Sequence, residues 1–409
     1  MLGPMSRWYS LAIVAVLAGC SGPDALDAWP AALVVRSPAT QSGLNGYPVN
    51  DAPAVRLVDV DGQPIPGAPV TFTVTSGGGS VTGGVATTGS DGVATVGGWT
   101  IAAGANTVTA SIPAPFRVEP VSFAATGVGP AYQIDLEFLT GISAARQAVF
   151  DSAAARWERQ IYGDVPDINI TNPTPPDLCF QGQPPISGFI DDIRIQVILD
   201  SIDGPGNVLG SSSPCLIRNV GKLPVHGFMV FDTADVAVLE GEGAFDEVVL
   251  HEMSHVLGFG TIWAPQFLNL LVGGGGSDPA FVGSRALTAF DRIGGAAYTG
   301  GAKVPVENSG QPGTRDHHWR ESVFNNELMT GFLDFGANPL SIVTIASMGD
   351  LGYVVNYGAA DAYSHAFSVG PLRAPPVGPV VRFALGNDIA RVPIYTVDRQ
   401  GRLTGVFRP

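Results

Sequence analysis

His251-Glu252-Met253-Ser254-His255 constrains this chain more than any other stretch, because two imidazoles four residues apart dictate the local conformation. In an α-helix, residues i and i+4 lie one above the other on a single face. His251 and His255 can then each turn one ring nitrogen toward the same ion, with the Glu252 carboxylate beside them. The spacing is that of a hydrolytic zinc site, where the glutamate takes a proton from water that the metal has made acidic. Phe245, Val248, Val249 and Leu250 precede the motif, Val256 and Leu257 follow it, and Gly258 stands where a helix can close in a left-handed turn. A buried helix over residues 243–257 is expected. A catalytic zinc needs three protein ligands and an open fourth position, so one ligand is missing from the motif. His226, His317, His318 and His365 are the remaining imidazoles, and a carboxylate from a later helix is the other possibility.

The N-terminus carries an export signal. Arg7 provides a positive start, Leu11-Ala12-Ile13-Val14-Ala15-Val16 a short apolar run, and Leu17-Ala18-Gly19-Cys20 a small-residue cleavage site. Such a run is too short to span a bilayer. The tetrapeptide resembles the lipobox of bacterial lipoproteins, which implies removal of residues 1–19, a lipid on Cys20 and attachment to the cell envelope. Cys179 and Cys215 are then the only other cysteines. In an oxidising compartment they are expected to form one disulfide, and without a CxxC spacing or a neighbouring histidine they do not read as a second metal site. A formal net charge of -15 argues against nucleic acid and against attraction to an anionic membrane surface. Nothing in the sequence fixes an oligomeric state.

Residues 29–128 and 131–364 are written differently. The first stretch has short alternating runs such as Val70-Thr71-Phe72-Thr73-Val74 and Asn106-Thr107-Val108-Thr109-Ala110, separated by Gly, Pro and Asp turns. That pattern predicts an all-β sandwich, with hairpin turns at Asp61-Gly62 and Asp91-Gly92. The run from Asp59 to Phe72, with Gly77-Gly78-Gly79-Ser80-Val81 and Asp91-Gly92-Val93-Ala94, resembles bacterial Ig-like domains of the invasin and intimin type. The resemblance implies a spacer or adhesion module.

After a linker at Gly127 to Pro130, the periodicity becomes mixed. Strands are expected at 133–138, 193–199 and 227–232, a long helix at 144–161, a thinning of regular structure from Gly273 onward, and a closing helix and turn over 340–353. The fold class is therefore multidomain, an all-β sandwich followed by an α/β domain. Metzincin proteases carry their third histidine three residues after the motif glycine, but Thr261 occupies that position here. Further on, His317-His318-Trp319 precedes Glu327-Leu328-Met329. This arrangement resembles the leishmanolysin-like metzincins, in which a long insertion separates the glycine from the third histidine.

The resemblance implies a zinc endopeptidase with one catalytic Zn2+ on His251, His255 and His318, Glu252 as general base and Met329 at the Met-turn beneath the metal. It also implies a protein or peptide substrate, held as an added strand beside residues 227–232. The alternatives are a surface adhesin or binding lipoprotein whose protease-like domain does not turn over, and a zinc hydrolase of non-peptide amides or esters. Residues 365–409 are expected to form a C-terminal tail, and no role is assigned to them.

Overall fold

The structure is a computed structural model that describes residues 29–334, 336–364 and 382–408. The leader 1–19, Cys20 and His365 lie outside the described residues. The N-terminal part is built of strands alone. A three-stranded sheet (Ala32–Val35, Ala54–Val58 and Val93–Thr95) faces a five-stranded one ordered Thr40–Leu44, Val121–Val128, Gly104–Ser111, Pro69–Ser76, Val85–Thr87. Inward-facing Val55, Leu57, Val70, Phe72, Trp99, Val108 and Phe123 form its core, as the alternation requires. Gly62 and Gly92 both have φ near +76°, which the expected tight turns demand.

The second part is organised around a six-stranded sheet. Its strands are numbered β1 (Ile134–Phe138), β2 (Ile193–Asp200), β3 (Gly210–Arg218), β4 (Pro224–Asp232), β5 (Ile394–Val397) and β6 (Leu403–Phe407), and their spatial order is β1-β2-β4-β3-β5-β6. Helix α1 (Ala144–Gln160) starts at Ser143, whose hydroxyl accepts from the Arg146 N–H. Its apolar stripe wholly buries Phe150 and Trp157, each worth about 2–3 kcal/mol of burial. Helix α2 (Thr233–Gly241) follows β4 and is capped by Asp232. Helix α3 (Phe245–Val256) carries the paired histidines and packs on α1, β3 and β4. Trp157 Nε1 donates to Leu250 O at 3.1 Å and Tyr353 Oη donates to Leu257 O at 2.9 Å, which fixes α3 at both ends of the motif. Gly258 ends the helix region with φ +111°.

The central sheet departs from the sequence reading. Strand β4 is paired on both sides, parallel to β2 and antiparallel to β3. Its backbone groups are spent on those ladders, so residues 227–232 cannot take a substrate as an added strand. The expectation is corrected: the strand beyond β4 is β3. That strand escaped notice because Gly210-Ser211-Ser212-Ser213-Pro214 is rich in turn formers. Pro214 has no N–H to give, and the register slips between Pro214 and Leu216. Past Gly273 the elements become short, as expected, among them α4 (Ser284–Phe290). Asp350, on α5 (Ile342–Leu351), accepts from Arg285 N at 3.0 Å and Ala286 N at 2.9 Å, and so caps α4 from a distance that local sequence does not reveal.

The C-terminal residues are part of this domain. Strand β5 pairs parallel to β3, and β6 pairs antiparallel to β5. Residues Arg382–Ala384 pair with Phe332–Asp334. The parts on either side of the linker also touch: the Asn50 side chain donates to Val355 O at 2.9 Å and accepts from Tyr357 N at 3.0 Å.

Candidate metal centre

Helix α3 turns His251 and His255 to the same side, and the loop before Trp319 brings His318 to meet them. The three Nε2 atoms form a triangle with edges of 3.0, 3.0 and 3.1 Å. All three rings are fully buried. Each Nδ1 is committed elsewhere: His251 to Leu328 O at 2.7 Å, His255 to Phe259 O at 2.8 Å and His318 to Thr314 O at 2.9 Å. A carbonyl can only accept, so each Nδ1 carries the proton and each Nε2 presents a lone pair. Burial depresses the pKa of His251 and, more strongly, of His255. Three lone pairs held about 3 Å apart repel unless a cation lies between them. A triangle this small has, just off its plane, a point about 2 Å from every corner, which is a zinc–nitrogen distance. The residues fit a metal of that kind.

His317 faces the other way. Its Nδ1 bonds Gly260 O at 2.8 Å, and its ring takes no part in the cluster. The two side chains diverge within a turn, and Trp319 fixes which one faces inward. The indole is wholly buried, stacked against Phe324 and edge-on to Phe259 and Phe281, with Nε1 donating to Thr344 Oγ1 at 2.8 Å. Thr261, in the place of the nearer third histidine, donates its hydroxyl to His255 O at 2.9 Å and contributes nothing to the cluster.

His226 is also apart from the three. It is buried on β4, neither ring nitrogen has a hydrogen-bond partner among the described residues, and burial lowers its pKa to about 3. Its donor atoms lie within 4.8 Å of the sulfurs of Cys179 and Cys215. The expectation that these cysteines have no histidine neighbour is therefore corrected. They are nonetheless joined as a disulfide, with Cα atoms 5.7 Å apart, and this leaves no thiolate to bind a metal.

Glu252 lies beside the triangle. Ser212 Oγ, on β3, donates to its Oε2 at 2.7 Å, while Oε1 has no hydrogen-bond partner among the described residues. Burial, together with the nearby Asp388 carboxylate, raises its pKa well above the ordinary value. Below the histidines, the Met329 sulfur accepts from Ser254 Oγ at 3.0 Å, and Ser254 lies on α3 between His251 and His255. Buried Glu327 fixes the chain around Met329: its Oε2 accepts from Met329 N at 2.6 Å, and its Oε1 accepts from Ser341 N, Ser341 Oγ and Thr344 Oγ1.

One participant was not anticipated. Asp388 Oδ2 is 2.9 Å from His318 Nε2, 3.4 Å from His251 Nε2 and 3.9 Å from His255 Nε2. The signal in the sequence is faint: a short Gly386-Asn387-Asp388 turn between Phe383-Ala384-Leu385 and Ile389-Ala390, hence a carboxylate set in apolar surroundings. Its neighbourhood raises the His318 pKa despite burial and depresses its own.

Residues 50–122 match the bacterial Ig-like domain (group 1) family, and residues 186–370 match leishmanolysin. The leishmanolysin match spans α3, His318 and Met329 and ends before Asp388, β5 and β6. Solved structures similar to the chain include the D00-D0 domain of intimin, at 19% identity over 24% of this chain and 50% of that one, with a TM-score of 0.20. Another is a C-terminal 282-residue fragment of intimin in complex with the intimin-binding domain of its translocated receptor, at 20% identity over 26% and 42%, with a TM-score of 0.18. The chain spans about half the length or less of these structures. No curated protein matches it. Among the described residues, no helix is long and apolar enough to cross a membrane.

Proposed function

We propose that the leishmanolysin domain is a zinc endopeptidase of the metzincin kind, exported and held to the cell envelope by a lipid on Cys20. The observation that carries the reading is the convergence of the Nε2 atoms of His251, His255 and His318 beside a buried glutamate. Three imidazoles suit zinc. When bound there, zinc supplies a Lewis acid for the peptide carbonyl and lowers the pKa of water. Glu252 is the general base: its free Oε1 accepts a proton from the attacking water and returns it to the departing amine nitrogen. Ser212 holds the other oxygen and so orients the carboxylate. Met329 provides the polarisable floor under the rings, and Glu327 ties that floor to α5.

The Cys179–Cys215 disulfide supports a location outside the reducing cytoplasm. Residues 29–128 serve as a spacer that sets the protease domain off from the envelope. An intact Glu252 with a free oxygen weighs against the reading as a binding lipoprotein without turnover.

The test is metal content and cleavage of unfolded casein measured side by side. The wild-type chain should hold one zinc, and any cleavage should vanish with a chelator or with Glu252→Gln, which should keep its zinc. Zinc-free protein, or a Glu252→Gln chain that cleaves as fast as wild type, would overturn the proposal.

A further inference from the structure

The Asp388 carboxylate is fully buried; its Oδ1 has no hydrogen-bond partner among the described residues, and its Oδ2 meets only the Nε2 atoms of the three histidines. An ionised carboxylate in such a place is costly unless a cation meets it. No lysine or arginine does so here. What it faces is the same point that the three Nε2 lone pairs face. We propose that Asp388 is the fourth protein ligand of the metal, and that the segment carrying it is a built-in plug whose departure opens the site. The inference rests on the zinc reading above.

Two further sets of contacts are built around this carboxylate. The first is a strap of hydrogen bonds across the cleft. Leu385 N donates to Gly331 O at 3.1 Å, Gly386 O accepts from Thr314 Oγ1, and Asn387 Oδ1 accepts from Gly313 N at 2.8 Å. On the opposite wall, Asp388 O accepts from Ser212 N at 2.8 Å and Ala390 N donates to Ser212 O at 3.0 Å. The strap joins the loop that carries His318 to the strand that carries Ser212, and Asp388 is the residue it delivers between them.

The second is the outer edge of β3. An unpaired strand edge beside the catalytic glutamate is where an extended peptide could add its own backbone. Residues 388–390 occupy it at Ser212, through a parallel bridge between Ser212 and Ile389, and β5 occupies it at Leu216–Arg218. The plug therefore takes both the fourth position of the metal and the nearest strand edge. Three imidazoles and a carboxylate make a complete tetrahedral set, the closed form of a structural site, whereas catalysis needs one position open. His251, Glu252, His255 and His318 are accordingly all without solvent exposure. Once residues 385–390 leave, solvent reaches the metal, Glu252 has a proton to accept, and a peptide can lie along β3.

Cobalt(II) in place of zinc reports the ligand set directly in the full chain. Wild type should give a tetrahedral visible spectrum that does not change on adding acetohydroxamate, because no position is free. Asp388→Ala should give a different spectrum that does respond to acetohydroxamate. It should also bind zinc more than roughly 10-fold more weakly and cleave unfolded casein at least about 10-fold faster, since a closed site becomes an open one. Gly313→Ala is a second route that leaves all four donor side chains in place. A Cβ there would lie 2.6 Å from Asn387 Oδ1 and 3.0 Å from Ile389 N, which pushes the strap outward. It should raise cleavage with zinc stoichiometry unchanged. A wild-type spectrum that already responds to acetohydroxamate, with Asp388→Ala identical to it, would overturn the inference, as would slower cleavage in both variants. Wild type that takes up no metal at all would instead defeat the zinc reading on which it rests.

Discussion

Ser212 touches Glu252 and the C-terminal segment at once: its hydroxyl donates to Glu252 Oε2 at 2.7 Å, and its backbone N–H donates to Asp388 O at 2.8 Å. The hydroxyl is the sole hydrogen-bond donor to the Glu252 carboxylate among the described residues. Ser212→Ala should leave zinc content unchanged and lower kcat by about 10-fold, the cost of losing one bond to a charged group. KM should change little, because the hydroxyl orients the base and does not hold substrate. Steady-state kinetics on a peptide released from the casein sequence would separate the two. A drop confined to KM would place Ser212 in substrate binding.

His317 and His318 are adjacent but diverge, one toward Gly260 O and the other into the triangle. His318→Ala should lower zinc affinity well beyond the 10 to 100-fold typical of residues that merely support ligands. His317→Ala should keep one zinc per chain. Competition with a fluorescent chelator gives both affinities, and the reverse ranking would assign the third ligand wrongly.

Glu327 gathers four donors from the turn at Met329 and from the start of α5 while fully buried. Glu327→Ala leaves those donors without a partner, each worth about 1–3 kcal/mol. The variant should lose about 3 kcal/mol or more of unfolding free energy in urea and release zinc more readily. Unchanged stability would mean that water replaces the carboxylate without cost.

The disulfide between Cys179 and Cys215 closes a sequence separation of 36 residues. Loop-closure entropy makes such a link worth about 4 kcal/mol. Replacing both cysteines by alanine should lower the urea midpoint accordingly without altering zinc stoichiometry, because neither cysteine belongs to the cluster of His251, His255 and His318.

Much of the site could be read from the chain because its signals are local. The spacing of His251 and His255 fixes them on one helical face, and the His318-Trp319 and Glu327-Leu328-Met329 runs carry the family likeness. The β-sandwich was legible for the same reason, through period-two alternation between turn residues. What escaped were the long-range partners. Asp388 reaches the three histidines only because β5 joins the sheet beside β3, and no pattern near residue 388 encodes that pairing. Ser212 was hidden in a serine-rich stretch that becomes a strand through its neighbours on either side. The placement of 227–232 as a substrate-binding edge failed because strand order cannot be counted from strand order in sequence: β3 inserts beyond β4.

The central claim is that Glu252 performs hydrolysis at a zinc held by His251, His255 and His318. The most direct measurement compares Asp388→Ala with the double variant Asp388→Ala/Glu252→Gln, recording zinc per chain by native mass spectrometry and cleavage of unfolded casein in the same samples. One zinc in each protein, with cleavage only where Glu252 is present, is the predicted result. Equal cleavage by both, or one zinc in each and no cleavage by either, would contradict the account.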